Sequence, residues 1–185
     1  MQTWSGARSK LGDMKAAALV PVEEYLRTTY RPDCDYVDGE VLERNVGERD
    51  HSEMQREFVF VFRLNQKAWK TFAFPEQRVQ ISARRFRVPD VCVFVGRPPK
   101  DQIFHEPPFI CIEIMSPEDR IERMQAKIDD YLNFGVRYVW VINPRSRRAW
   151  VYTKDTITEA KDGMLKTENP PLAVSMADIF AGIDE

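Results

Sequence analysis

The sequence predicts a mixed α/β (α+β) domain: a central mixed β-sheet flanked by helices and preceded by an N-terminal β-hairpin. Three observations predict it. Val91-Cys92-Val93-Phe94-Val95 and Phe109-Ile110-Cys111-Ile112 are nearly unbroken apolar runs, the pattern of central strands covered on both faces. Residues 50–70 and 117–134 repeat their apolar side chains at helical spacing. Asp38-Gly39 stands between short apolar stretches, a strong hairpin signal.

Taken in order, Pro21-Val22-Glu23-Glu24 predicts a short helix, with proline in its first turn and acids at its positive end. The hairpin follows over 35–42. In the long helix of 50–70, Met54, Phe58, Val61, Phe62, Ala68 and Trp69 share a face, with Asp50 or Ser52 as cap. Propensity alone also allows Phe58 to Phe62 to be strand. Strands are expected over 71–81, 86–95 and 108–115. Ser116-Pro117-Glu118-Asp119 reads as a helix start, and Gly135 as its stop. A buried strand over 138–142, an outer strand over 149–152, a final hairpin and a short helix near 176–180 complete the chain.

The 185 residues fit one domain with a real core. We read residues 1–18 as a flexible leader and 19–185 as a single domain. Hydrophobic residues at 43% and charged residues at 30% exclude disorder as the dominant state. A net charge of -2 does not advertise nucleic-acid binding, although only the local field at a groove matters there. Cys34, Cys92 and Cys111 are odd in number and lack C-x-x-C spacing. This argues against a disulfide framework or a structural zinc site and favours the cytoplasm. No apolar run is long enough for a membrane span. The scattered glycines form neither a P-loop nor a dinucleotide fingerprint.

The informative feature is where charge interrupts the apolar runs. Asp90 follows Pro89 and leads into the second strand run, and Glu113 sits between Ile112 and Ile114. A carboxylate inside a central strand is costly unless it is paired or bound to metal. Two on neighbouring strands would converge at one sheet edge. All-oxygen ligation favours magnesium or manganese. The competing reading is a pair of acids that are simply solvated or paired with Arg or Lys.

The ordered set Arg87-Val88-Pro89-Asp90-Val91, Cys111-Ile112-Glu113-Ile114-Met115-Ser116-Pro117, Lys127, Tyr131 and Gly135-Val136-Arg137-Tyr138-Val139-Trp140-Val141-Ile142-Asn143-Pro144 resembles the Uma2 family (DUF820). These are restriction-endonuclease-like proteins of the PD-(D/E)xK nuclease superfamily. Tyr36-Val37-Asp38-Gly39-Glu40 adds to the likeness, which spans residues 20 to about 182. The resemblance implies a restriction-endonuclease-like core and Mg2+- or Mn2+-dependent hydrolysis of DNA phosphodiester bonds. Asp90 and Glu113 would be metal ligands and, with Lys127, the catalytic set. The lysine expected two residues after the glutamate is replaced by Met115, and Lys127 on the following helix would substitute. The competing reading of Lys127 is a snorkelling side chain with a buried stem.

Glu40, His51 and Gln77 are secondary candidates: an early added acid, a group at the start of the long helix, and a contact to the metal's waters. Arg84-Arg85-Phe86-Arg87 is a candidate phosphate contact, whereas Arg145, Arg147 and Arg148 read as a solvated turn. A homodimer is expected, with the apolar strand around Trp150 and Tyr152 as one pairing edge. The alternative function is a nuclease fold used for binding or assembly without catalysis.

Overall fold

The computed structural model describes residues 19–44 and 48–184; the leader expected over 1–18 lies outside the described residues. Helix α1 (Val22–Arg27) follows Pro21 and carries Glu23 and Glu24 in its first turn. Strands β1 (Asp35–Val37) and β2 (Glu40–Leu42) form the expected hairpin. Asp38 and Gly39 both have positive φ there, as a type I′ turn requires. Helix α2 (Arg49–Leu64) buries Met54, Phe58 and Phe62, so the apolar period prevails over the strand propensity of Phe58 to Phe62. Neither Asp50 nor Ser52 caps it, because the helix starts earlier, after Glu48. Helix α3 (Gln66–Trp69) completes the helical stretch.

The strands expected over 71–81 and 86–95 are each broken in two. Strands β3 (Thr71–Pro75) and β4 (Val79–Ser82) are separated at Glu76, whose φ is 47°. Strands β5 (Arg85–Arg87) and β6 (Val91–Val95) are separated at Val88-Pro89-Asp90. A left-handed residue cannot continue a strand, and proline offers no N–H to the ladder. Since β3 pairs with β6 and β4 with β5, both arms of one hairpin bend together. One half enters a four-stranded sheet of order β2-β1-β5-β4, and the other enters a six-stranded sheet.

Strand β7 (Ile110–Ile114) leads to α4 (Ile121–Phe134) and the parallel strand β8 (Tyr138–Asn143). The helix starts later than Ser116-Pro117 suggests. The Asp119 carboxylate turns back to accept the Ser116 N–H at 2.7 Å, closing a separate turn, and Arg120 is extended. The helix ends as expected on Gly135, at φ 110°. Strands β9 (Arg148–Tyr152) and β10 (Ile157–Glu159) follow. The six-stranded order becomes β10-β9-β8-β7-β6-β3. Trp150 and Tyr152 therefore do not form an outer strand, because β10 pairs with that side of β9. Strands β11 (Met164–Thr167) and β12 (Leu172–Ser175) form the last hairpin, before α5 (Met176–Asp184).

Side-chain alternation sorts the core. Val91, Val93, Ile110, Ile112 and Ile114 pack with Met54, Phe58, Phe62 and Phe180 of α2 and α5. Cys92, Phe94, Cys111 and Val139 pack with Met124, Ile128 and Tyr131 of α4. Glu113 shares the parity of Cys111 and therefore belongs to the α4 face. Cys34, Cys92 and Cys111 are all free and buried. No helix among the described residues is long and apolar enough to cross a membrane.

Buried charge joins the small sheet to α4. Arg87 Nη1 lies 2.9 Å from Asp35 Oδ2, and Nη2 lies 2.7 Å from Asp130 Oδ2. Breaking such a pair strands its partner in a poorly solvated site. Arg87→Met is expected to lower unfolding free energy in urea by about 3–5 kcal/mol. A loss below about 1 kcal/mol, the range of an exposed pair, would show that this link does not hold the layers together.

Candidate active site

The register of β6 on β7 pairs Val91 with Ile112 and Cys92 with Cys111. One further step sets Asp90 across from Glu113, at the end where the bent hairpin leaves the large sheet. Both carboxylates are buried, with 3% and 2% exposure. Asp90 Oδ2 accepts the Ile114 N–H at 2.7 Å and lies 3.2 Å from His51 Nε2. Its Oδ1 is held by Arg44 Nη2. The Asp90 carbonyl accepts a bond from Gln55 Nε2 at 2.8 Å and one from the Glu76 N–H at 3.1 Å. Across the strand gap, Glu113 Oε2 lies 2.6 Å from Lys127 Nζ, and Oε1 accepts the Tyr131 hydroxyl at 2.7 Å. Lys127 and Tyr131 are four residues apart on α4 and so share one helix face.

Arg44, His51, Asp90, Glu113, Ile114 and Lys127 line a cleft of about 130 Å³, many times the roughly 10–15 Å³ needed for one water. Its electrostatics follow from burial opposed by paired charge. Burial would raise the Asp90 carboxyl, but the bond to His51 and the Arg44 charge hold it well below the usual range. Burial pushes Glu113 up to about 7 despite the pull of Lys127, and nearby Asp90 adds to the push. Burial disfavours charge on Lys127, yet Glu113, Asp35 and Asp90 outweigh it and keep the amine above its usual value. His51 is likewise desolvated, but its bond to Asp90 raises it overall.

The structure brings Asp90, Glu113, Lys127 and His51 together in this cleft. It does not bring in Glu40 or Gln77. Glu40 is exposed on β2, one register step from the hairpin turn. Gln77 spends its amide on the Gln102 carbonyl. The basic cluster at 84–87 makes bonds within the protein. Arg84 bonds the Asp38 carbonyl at 3.0 Å, Arg85 pairs with Asp38 and Asp130, and Arg87 is buried between acids. Arg147 and Arg148 pair with Asp184 and Glu159.

Sequence reasoning missed Arg44, Asp35, Gln55 and the hydroxyl role of Tyr131. Tyr131 was legible as a member of the family pattern, but its bond to Glu113 was not. Asp35 opens a strand, and nothing near it in sequence announces its partner Arg87, 52 residues away. Arg44 carried no local signal at all.

Among the described residues, no group of three or more His, Cys, Asp or Glu side chains could hold a metal ion. Two buried carboxylates facing one cleft suit magnesium, which keeps water and substrate oxygens in its remaining positions.

Comparison with known proteins bears on the family and the fold. The family described as "Uma2: Putative restriction endonuclease" matches residues 22–179. The crystal structure of "a putative nuclease belonging to DUF820" from Anabaena variabilis ATCC 29413 is similar at a TM-score of 0.73 and 25% identity. That likeness covers 87% of this chain and 97% of the other. No curated protein matches. The family match takes in both sheets and every carboxylate of the cleft, and the chain belongs to the Uma2 family, with a restriction-endonuclease-like fold.

Proposed function

We propose that this protein is an endonuclease hydrolysing phosphodiester bonds in DNA with Mg2+ or Mn2+ held by Asp90 and Glu113. The observation that carries the reading is the 2.6 Å contact of Lys127 Nζ with Glu113 Oε2. It supplies from α4 the amine that Met115 cannot supply from β7. A bound divalent cation would polarise the phosphate and lower the pKa of a coordinated water. The protein's own groups do the rest. Ile114 N–H and His51 orient the Asp90 carboxylate. Tyr131 fixes one Glu113 oxygen and leaves the other facing Lys127. The Lys127 ammonium orients the attacking water and stabilises charge building on the phosphate oxygens. Cutting both strands of a duplex with one cleft per chain calls for two copies, so a homodimer belongs to the same reading. Free, buried cysteines suit a cytoplasmic setting.

Cleavage of plasmid and single-stranded DNA with magnesium or manganese tests this. Asp90→Ala and Glu113→Ala are expected to abolish cutting. Lys127→Ala should lower kcat by about 10²–10³, the usual cost of one preorganised charge-stabilising group. An Asp90→Ala protein that cuts like wild type, or no cutting by wild type on any substrate, would sink the reading. DNA binding without cutting would point instead to a nuclease fold used for binding.

A second expectation concerns the metal-free protein. Glu113 titrates at about 7 rather than 4.5 when folded, and His51 is also raised. Between those values the native state holds more protons than the unfolded chain, so stability falls as pH rises. The contribution is complete below the unfolded values and is lost on passing through the folded ones. In chelator, the melting temperature should drop between about pH 5 and about pH 8. Glu113→Gln should flatten the drop, and magnesium at the higher pH should reverse part of it. A melting temperature that rises over this interval would contradict the assignment.

A further inference from the structure

We infer that Arg44 is a catalytic residue that exchanges partners: it holds Asp90 in the metal-free protein and clamps the scissile phosphate once a divalent cation takes Asp90. This rests on the metal-nuclease reading above.

The two oxygens of Asp90 are not equivalent. Oδ2 is committed to the Ile114 N–H and His51, both contributed by regular elements beside it. Among the described residues, Oδ1 has Arg44 alone. It is therefore the oxygen open to exchange, and a cation bound there must displace the guanidinium. Arg44 cannot make way by neutralising, because a guanidinium stays charged at any pH where the protein is folded. It has to move while remaining a cation.

Its other end is already uncommitted. Arg44 Nη1 is buried and has no hydrogen-bond acceptor among the described residues. Glu76 Oε1 is 3.6 Å away, too far for a hydrogen bond. A half-satisfied guanidinium in a cleft with only 11% side-chain exposure lacks an acceptor. A phosphate offers several, in the paired geometry that the planar fork matches. Arg120 and Arg123 line the same cleft, together with Glu118 and Asp119.

The competing view is that Arg44 is a structural ion pair, and the two roles predict opposite signs. If Arg44 competes with the cation, Arg44→Met should bind manganese about tenfold tighter in calorimetry. It should also cleave DNA about a hundredfold more slowly. A structural role would weaken both together. Arg44→Lys, which keeps the charge but not the fork, should bind manganese like wild type and still lose rate. It decides the matter if the methionine variant does not fold. Unchanged or weaker manganese binding by Arg44→Met, or full cleavage by either variant, overturns the proposal. No manganese binding by wild type or variant overturns the metal reading itself, and this proposal with it.

Discussion

Two carboxylates buried at one end of the strand pair β6–β7 impose the constraint around which the structure is arranged. Asp90 and Glu113 face each other where the sheet offers little water. Charge in such a place persists only when matched at close range. The matching groups come from widely separated elements: Arg44 from beyond β2, His51 from the start of α2, and Lys127 and Tyr131 from α4. Helices α2 and α4 and the segment after β2 therefore send side chains to a single point at the end of β6 and β7. The second buried cluster, Asp35–Arg87–Asp130, lies beside the first and locks the small sheet to α4.

The bend in the hairpin that carries β3 to β6 makes this convergence available. Pro89 ends the ladder just before Asp90, and Glu76 turns the opposing strand at the same level. The Asp90 main chain is thus released from sheet pairing, and its carbonyl bonds Glu76 and Gln55 instead. The cleft opens where the hairpin passes between sheets.

Much of this was legible from residue order, for identifiable reasons. Val91–Val95 and Ile110–Ile114 are apolar on both faces, so a charged residue within or beside them stands out, and Asp90 and Glu113 were found that way. Glycine at 135 and the Asp38-Gly39 turn carry conformational demands that read directly from residue type. The breaks at Glu76 and Pro89 were blurred because apolar alternation resumes immediately on the far side. Pairings between distant residues left no trace. Arg87 was grouped with its basic neighbours although its side chain is buried between acids, and Arg44 has an ordinary polar setting in the chain. Lys127 became legible through the family pattern rather than through its helical position alone.

In the proposed reading the lysine comes from a helix rather than a strand, and this has a consequence for how the site tolerates change. On a strand, a residue two positions from Glu113 would share its face whatever followed. On α4, the direction of Lys127 depends on the number of residues between it and the strand. Position 115, released from that duty, holds Met115, which packs against the α4-side core. Adding or removing one residue early in α4 would turn the amine about 100° around the helix axis, away from Glu113 and toward solvent or core. Insertions in the loop between β6 and β7 do not turn Lys127 in this way. The segment from Glu113 to Lys127 therefore acts as a ruler, and chain length there is under the same chemical constraint as residue identity.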